Sequence, residues 1–419
     1  MILLGNVKFS DLELDSSLEE KLNNIYAQKS DEFLPTLVYI FTLARWFGIP
    51  SYGGKFALCG AIVTFALVAS LEAGAIWKLV RLLAGIATNV TDGRGFVARL
   101  SGTIFYGNAL LSFLLSWKLI TSWKKVSIHW SRAETSGGLY FPPDDNIRKR
   151  VICVTWFVAV CACVEHMMSM MSATGFDIPP GEYFHRYILS SHGFLLQPHE
   201  YTVWVAVPVF ITSKLATIFW NFQDLIIILI SMGLTSRYHR LNLYVNYLVK
   251  LEKRDAGIKK FGTELYIQMQ TWRRLREAYV RQASLVRVVD KKLGTLVLLS
   301  NLNNFYFICL QLFLGLNKTQ SGLVNRMYYF YSMAWLLFRA CNVVLAAAEV
   351  NDHSRRALPL LYGCPRSSYN IEIKRLKHQL TYDSVALSGM GLFKLHRQLL
   401  LEVAAAILKY ELVMLQYDG

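Results

Sequence analysis

The sequence predicts an all-α, polytopic membrane protein of seven transmembrane helices. Its N-terminus is expected in the cytoplasm, its C-terminus outside, and helical extensions on the cytoplasmic side. Three observations carry that prediction. The 419 residues are 54% hydrophobic and only 17% charged, with a mean hydropathy of +0.32, whereas soluble domains carry about 25% charged residues. Seven segments are close to the roughly 20 mostly apolar residues that a helix needs to cross the hydrocarbon core. Lysine and arginine, finally, are distributed very unevenly among the loops between those segments. The chain is too hydrophobic and too aromatic to be disordered or fibrous. The period-2 alternation of a β-barrel is absent.

Residues 1–55 have no basic leader and only a short apolar run, so they do not read as a signal peptide. They read as a cytoplasmic, mixed-charge amphipathic segment, helical around 14–27. Six spans follow in a bundle over 56–350, at roughly 56–80, 100–120, 151–174, 201–232, 293–316 and 327–350. The fifth is the clearest, with 25 uncharged residues between Lys292 and Lys318, and the second has 18 between Arg99 and Lys118. Other spans carry isolated charges, among them Glu72, Glu165, Lys214, Asp224 and Arg339. Residues 351–397 are expected to form a cytoplasmic connector helix. Residues 398–419 form a seventh span with a short outer tail.

Orientation follows from the basic residues, which concentrate in cytoplasmic loops. Residues 1–55 hold 5, 118–150 hold 7, 233–292 hold 14 and 351–397 hold 8, together 34 of 44. The intervening loops hold 4, 1 and 2, so the N-terminus is placed inside. Two N-glycosylation sequons, Asn89-Val90-Thr91 and Asn317-Lys318-Thr319, both fall in loops assigned outside. This topology is opposite to that of a G-protein-coupled receptor. The 233–292 stretch sets fourteen basic against five acidic residues. Beside an inner leaflet this reads as attraction to anionic membrane lipid rather than to nucleic acid.

No phosphate-binding loop, HExxH, GxSxG, dinucleotide turn or CxxC pair is present, so nothing supports an enzyme, a cofactor or a metal site. All seven cysteines fall in spans or on the cytoplasmic side and read as buried structural thiols.

The last span carries Glu402, Lys409 and Glu411, which are costly facing lipid. At about 100° per residue, Gln398, Glu402, Lys409, Val413 and Gln416 form one narrow polar stripe, with Glu411 nearly opposite. Such a stripe suits a water-filled path closed by symmetric association of subunits. Pairing of the same charges with other helices of the chain is the alternative.

The residues around this stripe carry a resemblance. Lys409-Tyr410-Glu411-Leu412-Val413-Met414-Leu415-Gln416-Tyr417 resembles the TYhhhhhQF signature of insect gustatory receptors, h being hydrophobic. Ser388-Gly389 with Phe393-Lys394-Leu395, Trp123 with Trp130 and Glu134, Glu165-His166, and Trp220 through Leu225 are similar to the sugar-receptor branch. The resemblance covers essentially the whole chain. It implies a homo- or heterotetrameric ligand-gated cation channel, with the last helix lining the central pore. Gln416 and Tyr417 would sit at the outer gate, and a ligand pocket would lie in the outer half of each bundle. Two positions depart from the signature: Lys409 replaces its threonine and Tyr417 its phenylalanine. Four lysines around a pore would repel cations unless Glu402 or Glu411 neutralises them.

With alternating helices, the outer halves hold Tyr106, Asn108, Glu165, His166, Tyr201, Trp204, Asn304, Tyr306, Gln311, Tyr328, Tyr331 and Trp335. Sugars are bound by flat aromatic faces against their C–H surfaces, with carboxylates and amides taking the hydroxyls. Each of these aromatics also has an ordinary reading as packing or interfacial belt. Asp224 and Arg339 lie deeper and read as an intramembrane ion pair holding the bundle. The expected function is a plasma-membrane receptor channel opened by sugars. Its rivals are an obligate subunit that needs a related partner, and a sugar carrier.

Overall fold

The computed structural model describes residues 32–50, 55–85, 96–135, 139, 141–175, 179–255, 262–317, 322–366 and 369–417. These form helices almost throughout. Six are long and apolar enough to cross a membrane: α2 (Lys55–Leu83), α3 (Phe96–Thr135), α4 (Ile147–Thr174), α6 (Val203–Arg254), α7 (Gly262–Asn317) and α8 (Leu323–Arg355). A short helix, α5 (Tyr183–His192), lies between α4 and α6. The last helix, α11 (Gln398–Tyr417), has 20 residues, and so about the 30 Å needed for a seventh crossing.

The first element, α1 (Phe33–Ala44), lies within the segment 1–55 read from sequence as amphipathic and of mixed charge, and it packs on the bundle. At 12 residues it is too short to span a membrane. Phe33, Leu37, Ile40, Phe41 and Ala44 recur at helical spacing and are all buried. Phe33 stacks on Trp130 of α3 at 4.9 Å, and Phe41 meets Trp123 edge-on at 5.6 Å, so α1 runs antiparallel to α3. The turn that follows ends at Gly48, whose φ is +80°. A Cβ there would lie 2.1 Å from Thr64 Oγ1. Thr64 lies more than two turns into α2, so the chain dips beside that helix before starting it. The helix expected around 14–27 lies outside the described residues.

α6 and α7 have 52 and 56 residues, lengths of about 78 and 84 Å at 1.5 Å per residue. Each therefore extends far beyond the membrane, and the basic 233–292 stretch is helical over most of its length. Tyr238, Trp272, Tyr279 and Leu285 are fully buried between these inner ends. Arg237 and Arg240 reach Glu134 of α3 at 3.2 and 3.0 Å. α6 is the central helix, with 72% of its apolar stretch buried against protein, compared with 17% for α2 and 11% for α4. α2 and α4 accordingly leave most of their apolar surface uncovered by the described part of the chain.

Residues 351–397 are not one connector helix. α8 runs on to Arg355, followed by α9 (Leu358–Tyr362), α10 (Ile371–Tyr382) and a ribbon of β1 (Ser388–Gly389) and β2 (Phe393–Lys394). The strands pair antiparallel, Ser388 with Lys394 and Gly389 with Phe393. Pro359, Gly363 and Pro365 explain the breaks, because proline cannot continue a helix beyond its first turn. Asn370 then starts α10 by accepting the Ile373 N–H at 3.0 Å. α11 packs on α7 and α8.

Candidate functional site

One face of each of several helices meets at a cavity of about 530 Å³. α3 supplies Ser101, Phe105 and Tyr106 at helical spacing, and α4 supplies Glu165, His166 and Ser169 one turn apart. α6 contributes Ser213, Thr217 and Trp220 at i, i+4 and i+7; Phe307 of α7 and Tyr328 of α8 complete that side. The segment between α4 and α6 adds Tyr187, Ser190, Ser191, His192 and Phe194.

Polar contacts hold these side chains in place. The Ser332 hydroxyl donates to Glu165 Oε1 at 2.8 Å, and Gln311 Nε2 donates to Ser332 Oγ at 2.9 Å. This fixes the carboxylate from two neighbouring helices. The Tyr106 hydroxyl lies 3.4 Å from His192 Nδ1. The Lys214 ammonium donates to the Tyr187 hydroxyl at 2.7 Å and sits 4.4 Å from the Tyr187 and Phe210 ring centres. His166 Nε2 is buried without a hydrogen-bond partner among the described residues. Toward the end of α2, Lys78 grips both Glu200 oxygens at 2.8 Å. Burial acts to raise the Glu200 pKa, but the bonds from Lys78 and the Gln197 backbone outweigh it and hold the carboxyl below its ordinary range. Aromatic faces, several hydroxyls, one carboxylate and an unpartnered imidazole can together engage a polyhydroxylated ligand.

Of the ligand candidates read from sequence, Tyr106, Glu165, His166 and Tyr328 line this cavity, and so does Trp220 of the motif in the fourth span; Asn108, Trp204, Tyr306, Tyr331 and Trp335 do not. Trp204 is 90% exposed at the start of α6, the placement of an interfacial aromatic. Tyr306 sets its ring edge-on against Phe307 at 5.2 Å. The Tyr331 hydroxyl donates to the Cys161 carbonyl at 3.1 Å. Trp335 is buried and stacked on Phe338. Asn108 is buried, and neither its amide nitrogen nor its oxygen has a partner among the described residues. Residues 187–194 escaped sequence reading because they lie in a loop between spans. Their signal was the amphipathic run from Tyr183 to His192, in which Tyr187 and Ser191 share a face one turn apart.

Deeper in the bundle, Arg339 Nε lies 2.8 Å from Asp224 Oδ2, both side chains being almost wholly buried. Arg339 also donates to Asn221 Oδ1 at 2.7 Å, while Ser300 and Asn304 donate to Asp224 at 2.5 and 3.3 Å. A buried charge pair persists only when its remaining hydrogen-bonding capacity is largely met in this way.

On α11, Ile407 is buried and Val403 half-buried, one turn apart against α7 and α8. Gln398, Glu402 and Lys409 are exposed on the rest of the helix, and neither Glu402 nor Lys409 makes an ion pair among the described residues. Val413, Gln416 and Tyr417 lie on the helix, but their side chains fall outside the described residues, as does that of Asn317; Asn89 lies outside them altogether. No cluster able to hold a metal occurs among the described residues.

The backbone matches the insect olfactory receptor OR5 from Machilis hrabei with a TM-score of 0.63, covering 92% of this chain and 100% of that one at 12% identity. The same receptor in complex with eugenol matches at 0.62. That likeness defines the class: a helical, multi-pass membrane protein with the fold of insect olfactory receptors. The trehalose receptor family model matches residues 55–419. The chain is 31% identical to the Drosophila melanogaster gustatory receptor for sugar taste 64a over 328 residues, 76% of this chain and 69% of that protein. It is 28% identical to the gustatory receptor 5a for trehalose from the same fly, over 75% of this chain and 68% of that one. The chain belongs to the trehalose receptor family of insect gustatory receptors. It is a taste receptor, and its relatives are receptors rather than enzymes.

Proposed function

We propose that this receptor is a ligand-gated, non-selective cation channel opened by sugars. It acts in the plasma membrane with its N-terminus in the cytoplasm and assembles as a tetramer. The observation that carries the reading is the two-faced character of α11. Its apolar turn at Val403 and Ile407 packs on its own bundle, while Glu402 and Lys409 are exposed and make no ion pair among the described residues. Charges on a membrane helix that are not satisfied within their own chain need water or a neighbouring subunit. A central pore supplies both, with Gln416 and Tyr417 at its outer gate. The cavity lies in the same half of the bundle as the outer loops. Its carboxylate, hydroxyls and aromatic walls fit a sugar, and the relatives' names point to trehalose and other sugars. Glu165, His166 and Tyr106 are the residues to which ligand contact is assigned, and Asp224 with Arg339 is the pair that holds the bundle. On this topology Asn89 and Asn317 are outside and available for glycosylation.

Lys409 favours a second reading, an obligate subunit of a heteromer, because a ring of four lysines repels permeant cations. Whole-cell current evoked by a panel of sugars, recorded from cells expressing this chain alone and with related receptors, tests both. Current from the chain alone establishes a self-sufficient channel; current only on co-expression establishes the heteromer. Sugar uptake without current in either case would assign the chain as a carrier.

A further inference from the structure

Trp220 of α6 stands where three parts of the molecule meet. Its ring forms part of the cavity wall, beside Phe105 at 6.1 Å and Phe307 at 4.7 Å between centroids. Its indole N–H donates to Asn304 Oδ1 at 3.1 Å, and the Arg339 guanidinium lies 4.4 Å from its ring centre. That joins it to the buried group around Asp224. Trp220 also packs against the apolar cluster of Ile308, Leu336 and Ile407, to which Val403 belongs as well. Val403 and Ile407 are the side chains by which α11 rests on its own bundle.

We propose that Trp220 is the residue through which occupancy of the cavity reaches the last helix. The proposal rests on the reading of the cavity as the sugar site and of α11 as the pore helix. The indole is not free to drift. Turning it would break its bond to Asn304, uncover a buried guanidinium and open a void in the cluster that holds Ile407. Close-packed interiors answer such a demand by switching between discrete arrangements rather than by yielding gradually. A ligand moves an equilibrium only by as much as it binds one state better than the other. Trp220 gives that difference a location, because one ring is shared between the ligand wall and the seat of α11. Asn304 and Arg339 hold the indole, so a ligand that shifts it must also disturb its packing against the cluster that contains Ile407.

The test compares Trp220→Phe, which keeps an aromatic wall but removes the N–H, with Ile407→Ala, which leaves the cavity untouched. Maximal sugar-evoked current per surface receptor and binding of tritiated trehalose are measured on the same cells, with a partner receptor present if the wild type requires one. If the wild type responds to a different sugar in the panel, that sugar is labelled instead. Ile407→Ala is expected to bind the labelled sugar within about threefold of wild type, and both variants are expected to lose about tenfold in maximal current at saturating sugar, a loss typical of broken coupling. The double variant is expected to lose little more than either single one, since both interrupt the same path. Should Trp220→Phe fail to reach the surface, Ile407→Ala carries the test alone. Wild-type current in a variant that reaches the surface overturns the proposal, as does loss of current fully accounted for by lost binding. A wild type that neither binds nor conducts with any sugar overturns the underlying functional reading and the coupling together.

Discussion

Asp290 of α7 and Ser388 of β1 are joined by hydrogen bonds to both oxygens of the carboxylate. The Ser388 backbone N–H donates to Asp290 Oδ1 at 2.6 Å and its hydroxyl donates to Oδ2 at 2.8 Å. The ribbon that precedes α11 is thereby pinned to a helix that also crosses the membrane. Asp290→Ala leaves those donors unmet and is expected to lower stability by about 1–3 kcal/mol. Ser388→Ala, which keeps the backbone donor, is expected to cost less. Thermal unfolding of detergent-solubilised protein checks the order; equal melting points for Asp290→Ala and wild type would show that the pin contributes nothing.

Glu372, at the start of α10, accepts from Arg276 Nε and from Arg375 Nη1, each at 2.7 Å. Burial acts to raise its pKa, but these bonds and charges outweigh it, so the carboxyl titrates below its ordinary value of 4.5. A depressed carboxylate stabilises the fold above its unfolded pKa, and that contribution is lost as pH falls through the folded value. The melting temperature of the wild type is therefore expected to fall more steeply below about pH 4.5 than that of Glu372→Gln. Parallel pH profiles for the two proteins would contradict this.

Gly233 of α6 faces Phe33 of α1 so closely that an added Cβ would lie 2.3 Å from the Phe33 ring. Gly233→Ala must push α1 aside, at an expected cost of about 1–3 kcal/mol. In a Phe33→Ala background the same change should cost much less, since the clash is gone. A double-mutant cycle of unfolding measurements gives the coupling directly; additive effects would mean that α1 is not held against α6.

Glu165 and Trp204 should separate sharply in dose–response recordings. Glu165→Gln keeps the size of the side chain but removes the charge that would accept sugar hydroxyls. Its half-maximal sugar concentration is expected to rise by about ten- to a hundredfold, the scale of one charged hydrogen bond. Trp204→Ala, at a site 90% exposed, is expected to leave it unchanged. The reverse order would move the binding site away from the cavity.

Breaking the pair of Asp224 and Arg339 on one side leaves an uncompensated buried charge, a loss of about 3–5 kcal/mol. Arg339→Leu is accordingly expected to abolish surface expression. Arg339→Leu combined with Asp224→Leu should restore part of it, because the apolar pair removes both charges. Surface biotinylation reads the result, and a double variant no better than the single one would deny the pair its structural role.

The membrane-spanning character was legible in the sequence because it rests on single segments: an apolar run of sufficient length must be a buried or lipid-facing helix whatever surrounds it. The inner extensions of α6 and α7 were legible in part, since Leu275, Tyr279, Leu285 and Val289 keep a helical period through the basic stretch. α1 was not. Twelve residues cannot declare a span, and its buried face makes sense only once Trp123, Trp130 and Gly233 from distant segments are beside it. The same limit applied to the site. Glu165, His166 and Tyr106 stood out as polar or aromatic groups within spans. Tyr187, His192 and Phe194 come from a loop whose position over the cavity depends on tertiary packing. Trp204 misled because an aromatic at a helix start satisfies the interfacial belt and a binding site equally well.

The docking of α1 also constrains the order in which the protein can be made. Phe33 leaves the ribosome first, yet Gly233, on which it rests, follows two hundred residues later. At about 5–20 residues per second that is a wait of roughly 10–40 s. Trp130 and Trp123 of α3 follow about ninety residues behind Phe33 and Phe41, so the face of two phenylalanines, a leucine and an isoleucine is first covered by α3 and only later by α6. The seat of α1 is therefore built in two instalments, and its last contact closes only when a helix far along the chain has been made.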